Sequence, residues 1–200
     1  MPELITDLWI SLRKFKGEHI VKSEIDIIRD IAGKFERLGM PYMLTGSMAM
    51  NYYATPRMTR DIDVVVLIGK EDIQALMSAF GTDYYISEAA LKESIQSESM
   101  FNLIHIESVI KVDCIVRKST EYRKIEFERR QKIALEDFST YIVSKEDLIL
   151  SKLVWAKNSH SEMQLRDIVN LLMSGYDIRY IEFWADKLGV SNLLGEVLNA

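Results

Sequence analysis

Asp61-Ile62-Asp63 opens the run DIDVVVLI, residues 61 to 68, which is short and rich in β-branched residues and so favours a strand over a helix. Side chains alternate along a strand, so Asp61 and Asp63 project from one face while Ile62, Val64 and Val66 take the other. Val65 and Leu67 continue the carboxylate face as apolar, which predicts a strand buried on both sides with the acidic pair at its mouth. Two carboxylates beside an apolar wall repel each other and lose hydration, a cost that a bound cation or access to solvent must offset. Mg²⁺ is the natural cation, because it takes oxygen ligands and keeps positions open for phosphate oxygens. One cysteine, Cys114, and three scattered histidines, His19, His105 and His160, offer no zinc site of the usual kind. The alternative is that the pair is merely solvated at a strand end. A third carboxylate, Asp113, lies in the strand-like VIKVDCIV, among Val112, Cys114 and Ile115, where an unpaired charge is costly. If that strand neighbours the first, three carboxylates converge; the competing partner for Asp113 is Lys111, two residues away on the same face.

Gly46-Ser47 follows the strand candidate YMLT, residues 42 to 45, and leads into the helical stretch MAMNYY, residues 48 to 53. Glycine at such a turn lets backbone approach a ligand, and the N–H groups and dipole at the helix start favour a phosphate. Ser47 adds a hydroxyl; an ordinary turn with an N-cap serine is the plainer account. The chain contains neither GxxxxGK[ST] nor GxGxxG, which removes the main support for kinase-like and dinucleotide-binding readings. Lys152 interrupts the apolar run LILSKLVWA, and a buried lysine needs an anion, unless it snorkels to solvent or simply pairs with Asp167.

The order Gly-Ser, thirteen residues, Asp-Ile-Asp and a later strand aspartate, carried by TGSMAMNYYATPRMTRDIDVVV and IKVDCIV, resembles the nucleotidyltransferase superfamily with its polymerase-β-like fold. The segment SKLVWAKNSHSEMQLRDIVNLL is similar to the Lys-then-Arg-Asp segment of the AbiEii-type branch, the nucleotidyltransferase toxins and their bacterial relatives, although those toxins more usually carry a second glycine where Ser47 stands. The two resemblances span about residues 42 to 175. They imply that Asp61, Asp63 and Asp113 are the catalytic, metal-binding carboxylates, with Asp113 also helping to activate the acceptor hydroxyl. They imply a nucleotide-binding set of Gly46, Ser47, Arg60, Lys152 and Asp167, with Arg166 beside the last. The implied activity is transfer of an NMP group from an NTP such as ATP, with Mg²⁺ or alternatively Mn²⁺, to RNA, protein or a small molecule. In-line attack on the α-phosphate would release pyrophosphate, with two metal ions stabilising the attacking and leaving oxygens. A toxin–antitoxin relation and a partner protein belong to the same expectation. One rival is a small-molecule enzyme resembling aminoglycoside or lincosamide nucleotidyltransferases, whose cationic substrates would suit an acidic chain. The other is a non-catalytic nucleotide-binding or interaction module of the same fold.

The elements that must position these residues fit 200 residues and 23.1 kDa, enough for one domain with an appendage. The expected class is α/β (α+β), a nucleotidyltransferase-type mixed sheet flanked by helices, with a small C-terminal helical domain. Residues 1–143 form the body, including an amphipathic helix from about Glu18 to Leu38 that ends at Gly39; residues 144–200 are successive helices with Gly or Ser at the joints. Residues 70 to 80 and 87 to 97 read as helices, and 101 to 108 with 109 to 116 as two strands of a hairpin. Hydrophobic residues at 48% and charged residues at 28% describe a water-soluble globular chain, and the net charge of −5 argues against a surface devoted to nucleic acid. Residues 117 to 132, RKSTEYRKIEFERRQK, are a local exception with seven basic residues against three Glu, either an RNA-contacting patch or a solvated face. Trp155, Met173, Phe183 and Trp184 are expected in the core. No run approaches the roughly 18 apolar residues of a membrane span, and the charged N-terminus lacks a secretory pattern, so a cytoplasmic location is expected.

Overall fold

The computed structural model describes residues 22–59, 61–159 and 161–199. Helix α1, Glu24–Arg37, starts at a reciprocal cap in which Ser23 Oγ accepts from the Asp26 N–H at 3.2 Å and Asp26 Oδ2 accepts from the Ser23 N–H at 2.9 Å. It buries Ile25, Ile28, Ile31 and Phe35, the periodic face expected of it, and the chain turns away through Gly39 at φ 66°. The expected first turn from Glu18 lies outside the described residues.

Strand β1, Tyr42–Thr45, is buried along its length and runs into α2, Gly46–Tyr53; β2 is Asp61–Val66. A single 3₁₀ turn, Lys70–Asp72, precedes α3, Ile73–Phe80, and β3 (Tyr84–Ile86) separates it from α4, Glu88–Ser97. Strands β4, Met100–His105, and β5, Lys111–Val116, form the expected hairpin. Helix α5, Glu121–Glu128, is followed by the hairpin of β6, Gln131–Leu135, and β7, Phe138–Ile142. Four helices complete the chain: α6 (Lys145–Ser159), α7 (Glu162–Leu172), α8 (Ile178–Lys187) and α9 (Ser191–Leu198).

All seven strands join one mixed sheet in the order β3-β4-β5-β2-β1-β7-β6. The pairs β2/β5 and β1/β7 are parallel and the others antiparallel, so the acidic strand β2 is central, between β1 and β5. Ile62, Val64 and Val66 are buried, whereas Asp63 and Val65 are half-buried and Asp61 and Leu67 exposed. The carboxylate face is therefore open, not buried as its apolar spacing suggests, because Val65 and Leu67 have no complete layer over them. One cluster of buried side chains runs from Ile28 and Phe35 through the sheet to Leu148, Leu153, Ile168 and Trp184.

Two expectations about the later chain are corrected. Trp155, Met173 and Phe183 are 55%, 80% and 55% exposed, and of the four only Trp184 is buried, its ring 5.1 Å from that of Tyr122. The basic stretch is only in part a solvated face: Lys118, Lys124 and Lys132 are exposed, whereas Arg123 pairs with buried Glu126 at 2.7 Å and Arg129 Nε donates to Asp147 Oδ2 at 2.9 Å. Asp147 is wholly buried and also accepts from Ser144 Oγ at 2.6 Å and from Tyr180 Oη at 2.7 Å. Buried charges persist when they are paired and hydrogen-bonded, so this network fastens α5 to α6 and α8. Among the described residues no helix is long and apolar enough to cross a membrane.

Candidate functional site

Parallel pairing of β2 with β5 sets Asp63 opposite Asp113 and Asp61 opposite Lys111. On the outer sides Thr45 lies opposite Asp63, and Asn102 opposite Asp113. A row Thr45, Asp63, Asp113, Asn102 thus crosses four adjacent strands, and the conditional convergence of the three aspartates is met at the level of strand register. Asn102 Nδ2 donates a short hydrogen bond to Asp113 Oδ1. Lys111 Nζ lies 3.0 Å from Asp113 Oδ2 and 3.8 Å from Asp61 Oδ1, so the competing partner for Asp113 is indeed engaged. Burial raises the Asp63 carboxyl above its ordinary value, and repulsion from Asp113 and Asp61 raises it further against the weaker pull of Lys152 and Lys111.

The donor set of this face is oxygen-only, which suits Mg²⁺ by chemistry. As the side chains stand, however, no three acidic, histidine or cysteine groups among the described residues close around one point. Lys111 supplies positive charge between two of the three carboxylates instead.

Gly46 begins α2 at φ 61°, a conformation that costs an L side chain roughly 1–2 kcal/mol. A Cβ there would also lie 2.0 Å from Asp63 Oδ2, so the Asp63 carboxylate rests directly on the turn. Ser47 is not the N-cap of the plainer account, since Thr45 holds that place and makes no side-chain cap. Ser47 Oγ accepts instead from Arg57 Nη2 at 2.6 Å. Asn51 holds the backbone of Arg57 from both sides, its Nδ2 donating to the Arg57 carbonyl and its Oδ1 accepting from the Arg57 N–H, each at 2.9 Å.

Arg57 and Lys152 converge on Asp167. Arg57 Nε and Nη2 donate to its two oxygens at 3.0 Å each, and Lys152 Nζ donates to Oδ2 at 2.7 Å and to Gln164 Oε1 at 2.9 Å. Burial favours neutral forms of both acid and amine, and it lowers Lys152 despite the opposing pull of Asp167. For Asp167 burial is outweighed by the hydrogen bonds from Arg57 and Lys152, and its carboxyl is held below its ordinary value. Lys152 therefore does not snorkel to solvent. Gly46, Ser47, Lys152 and Asp167 lie in one neighbourhood; Arg166 is exposed, and Arg60 lies outside the described residues. Arg57 is the residue that sequence reasoning passed over, although its place four residues before Asp61 was visible.

No protein-family model matches the chain, and no curated protein is detectably similar in sequence. Similarity emerges in three dimensions. The antibiotic-resistance factor ANT(2'')-Ia, in its solution structure, superposes with a TM-score of 0.55 at 12% identity over 86% of this chain and 91% of its own. The crystal structure of ANT(2'')-Ia in complex with adenylyl-2''-tobramycin gives 0.53 at 12% identity over 90% and 100%. An antigenic nucleotidyltransferase-like protein from Paracoccidioides brasiliensis gives 0.51 at 16% identity over 87% and 91%. The chain has the nucleotidyltransferase-type fold that its sequence resemblance implied.

Proposed function

We propose that the protein is a metal-dependent nucleotidyltransferase that moves an NMP group from an NTP to an acceptor nucleophile. The carrying observation is the seam at Gly46, where an open carboxylate row on β2 and β5 abuts a Gly-Ser turn flanked by Arg57 and Lys152. An NTP with a divalent ion has the complementary pattern, a cation beside a polyphosphate. Gly46 and Ser47 would face the phosphates, with Lys152 and Arg57 neutralising them once Asp167 yields part of its contacts. Arg57 would join the nucleotide-binding set expected from the sequence.

Asp61 and Asp63 would hold Mg²⁺ or Mn²⁺, with Asp113 alongside, and the ion would supply charge neutralisation at the reacting phosphate. Asp113, oriented by Asn102, would accept the acceptor proton as the acceptor oxygen bonds to the α-phosphorus and the bond to the β-phosphate bridging oxygen breaks. Pyrophosphate leaves. An RNA acceptor loses part of its support, because Arg123 and Arg129 of the basic stretch are engaged in internal ion pairs; a small-molecule acceptor gains some from the adenylyl-2''-tobramycin in the ANT(2'')-Ia complex. A toxin–antitoxin role rests on the sequence resemblance of the Lys152-to-Asp167 segment alone, since the pairing of Lys152 with Asp167 is equally the plain structural alternative. Cytoplasmic action is in keeping with a need for NTP.

The test incubates the protein with each α-labelled NTP, Mg²⁺ or Mn²⁺, a cell extract and a panel of aminoglycosides and lincosamides. Label should pass to one acceptor fraction and disappear with Asp61→Asn/Asp63→Asn. Undiminished transfer by that double variant would sink the proposal, and a protein that binds nucleotide without transferring it would favour the interaction module.

A further inference from the structure

Lys111 is a charged residue of the carboxylate face that neither the expected metal chemistry nor the phosphate subsite uses. Its position is fixed by two independent registers: β2 places it opposite Asp61, and β4 places it opposite Ile104. Period two along β5 puts it on the same face as Asp113. Its ammonium lies between the carboxylates of two different strands, within hydrogen-bond distance of one and at 3.8 Å from the other. The side chain is 41% exposed, so it has room to leave and is held by the charges.

We propose that Lys111 is a built-in cation that takes the place of one of the two metal ions of the site, so that the protein works with a single divalent ion. The inference rests on the transferase reading above. Three carboxylates crowded on one face can be neutralised by two divalent ions, or by one divalent ion and an ammonium already in the sheet. The structure shows the ammonium in place, 3.0 Å from Asp113 Oδ2 and 3.8 Å from Asp61 Oδ1. A lysine fixed by strand register contributes positive charge without having to be captured from solution, which is the advantage of preorganised electrostatics. It also narrows the acidic face to Asp61 and Asp63 for the remaining ion, with Asp113 tied to Lys111 and Asn102.

Counting bound Mn²⁺ by electron paramagnetic resonance, with a non-hydrolysable ATP analogue present, tests this without any turnover. Wild-type protein and Lys111→Arg should each bind a single Mn²⁺ per chain. Lys111→Met, which keeps the apolar stem and removes the charge, should bind a second, with weaker overall affinity. Two Mn²⁺ on the wild type would overturn the inference while leaving the transferase reading intact, as would unchanged stoichiometry in a folded Lys111→Met. No Mn²⁺ on any of the proteins would overturn both. Should Lys111→Met fail to fold, the wild-type count alone decides.

Discussion

Gly46→Ala is the sharpest probe of the seam between the two halves of the site. The new Cβ would stand 2.0 Å from Asp63 Oδ2, 2.6 Å from Cγ and 2.9 Å from Cβ. The carboxylate must then retreat by about an ångström, and because Asp63 Cβ is itself too close, rotation about χ1 alone does not relieve the overlap. The φ of 61° adds roughly 1–2 kcal/mol, and overpacking of this kind typically costs about 1–3 kcal/mol. The sum predicts a loss of about 2–5 kcal/mol, read as a lower urea midpoint with an unchanged slope. If Asp63 holds the metal as proposed, an ångström of displacement there should cost about a hundredfold in transfer rate. The partition can be checked by a double-mutant cycle. In an Asp63→Gly background the overlap is gone and only the φ penalty remains, so the cycle should show a coupling of about 1–3 kcal/mol. A Gly46→Ala protein with wild-type midpoint and rate would refute the reasoning, and a penalty that persists in full with Asp63→Gly would refute the assignment of its cause.

Asp167→Asn leaves Lys152 buried without its counter-ion and should cost about 3 kcal/mol at neutral pH. Because the folded-state pKa of Asp167 is depressed, that stability is present above the ordinary carboxylate range and is lost as pH falls through the folded value, so wild type and variant should converge in acid urea titrations. Asp63→Asn should do the reverse: its folded pKa is raised, so the ionised group opposes folding as pH rises through that value, and the variant should be the more stable at neutral pH in chelator. Arg129→Met strips buried Asp147 of its cation and should cost about 3 kcal/mol, with no change in acceptor choice in the label-transfer assay; a selective loss of RNA labelling would restore the basic-patch reading.

What sequence could show, and what it could not, divides along the range of the interactions. The β-branched run after Asp61 and the Gly-Ser break are local signals, and they placed β2 and the start of α2 within a residue or two. Period two likewise put Lys111 beside Asp113. Arg57 had no such signal, since it sits in an irregular segment whose course is set by the side chain of Asn51 and by the distant Asn170, which donates to the Thr55 carbonyl at 3.1 Å. The hairpin of β6 and β7 escaped because Gln131, Lys132 and Ser139 dilute its apolar alternation, and its tight turn uses Glu136 at φ 53° where a glycine would have been recognised. Composition gave an incomplete account of the basic stretch for a related reason. Arg123 and Arg129 look like surface charge until α6 and α8 bring Asp147, Ser151 and Tyr180 against them. Trp155 and Phe183 show the converse, because apolar type alone does not say which face of a helix the neighbours cover.

Burial pushes both the Asp63 and the Asp167 carboxyl up, and their charged neighbours decide the opposite outcomes. At Asp63 the repulsion from Asp113 and Asp61 adds to burial and exceeds the pull of Lys152 and Lys111, so the half-site is short of cation even with Lys111 present. Around Asp167 an arginine and a lysine meet a single carboxylate, and the half-site holds more cation than that carboxylate neutralises. Gly46 sets the two imbalances side by side, since Asp63 presses on it and Arg57 reaches the hydroxyl of the next residue. A ligand carrying only negative charge would satisfy the second half and worsen the first; a free divalent ion would do the opposite. A polyphosphate bound to a divalent ion corrects both at once, so each component should raise the affinity for the other, and by linkage the two enhancements must be equal in free energy. A favourable coupling between the two separates the proposed site from a surface that merely collects phosphate, where it would be absent.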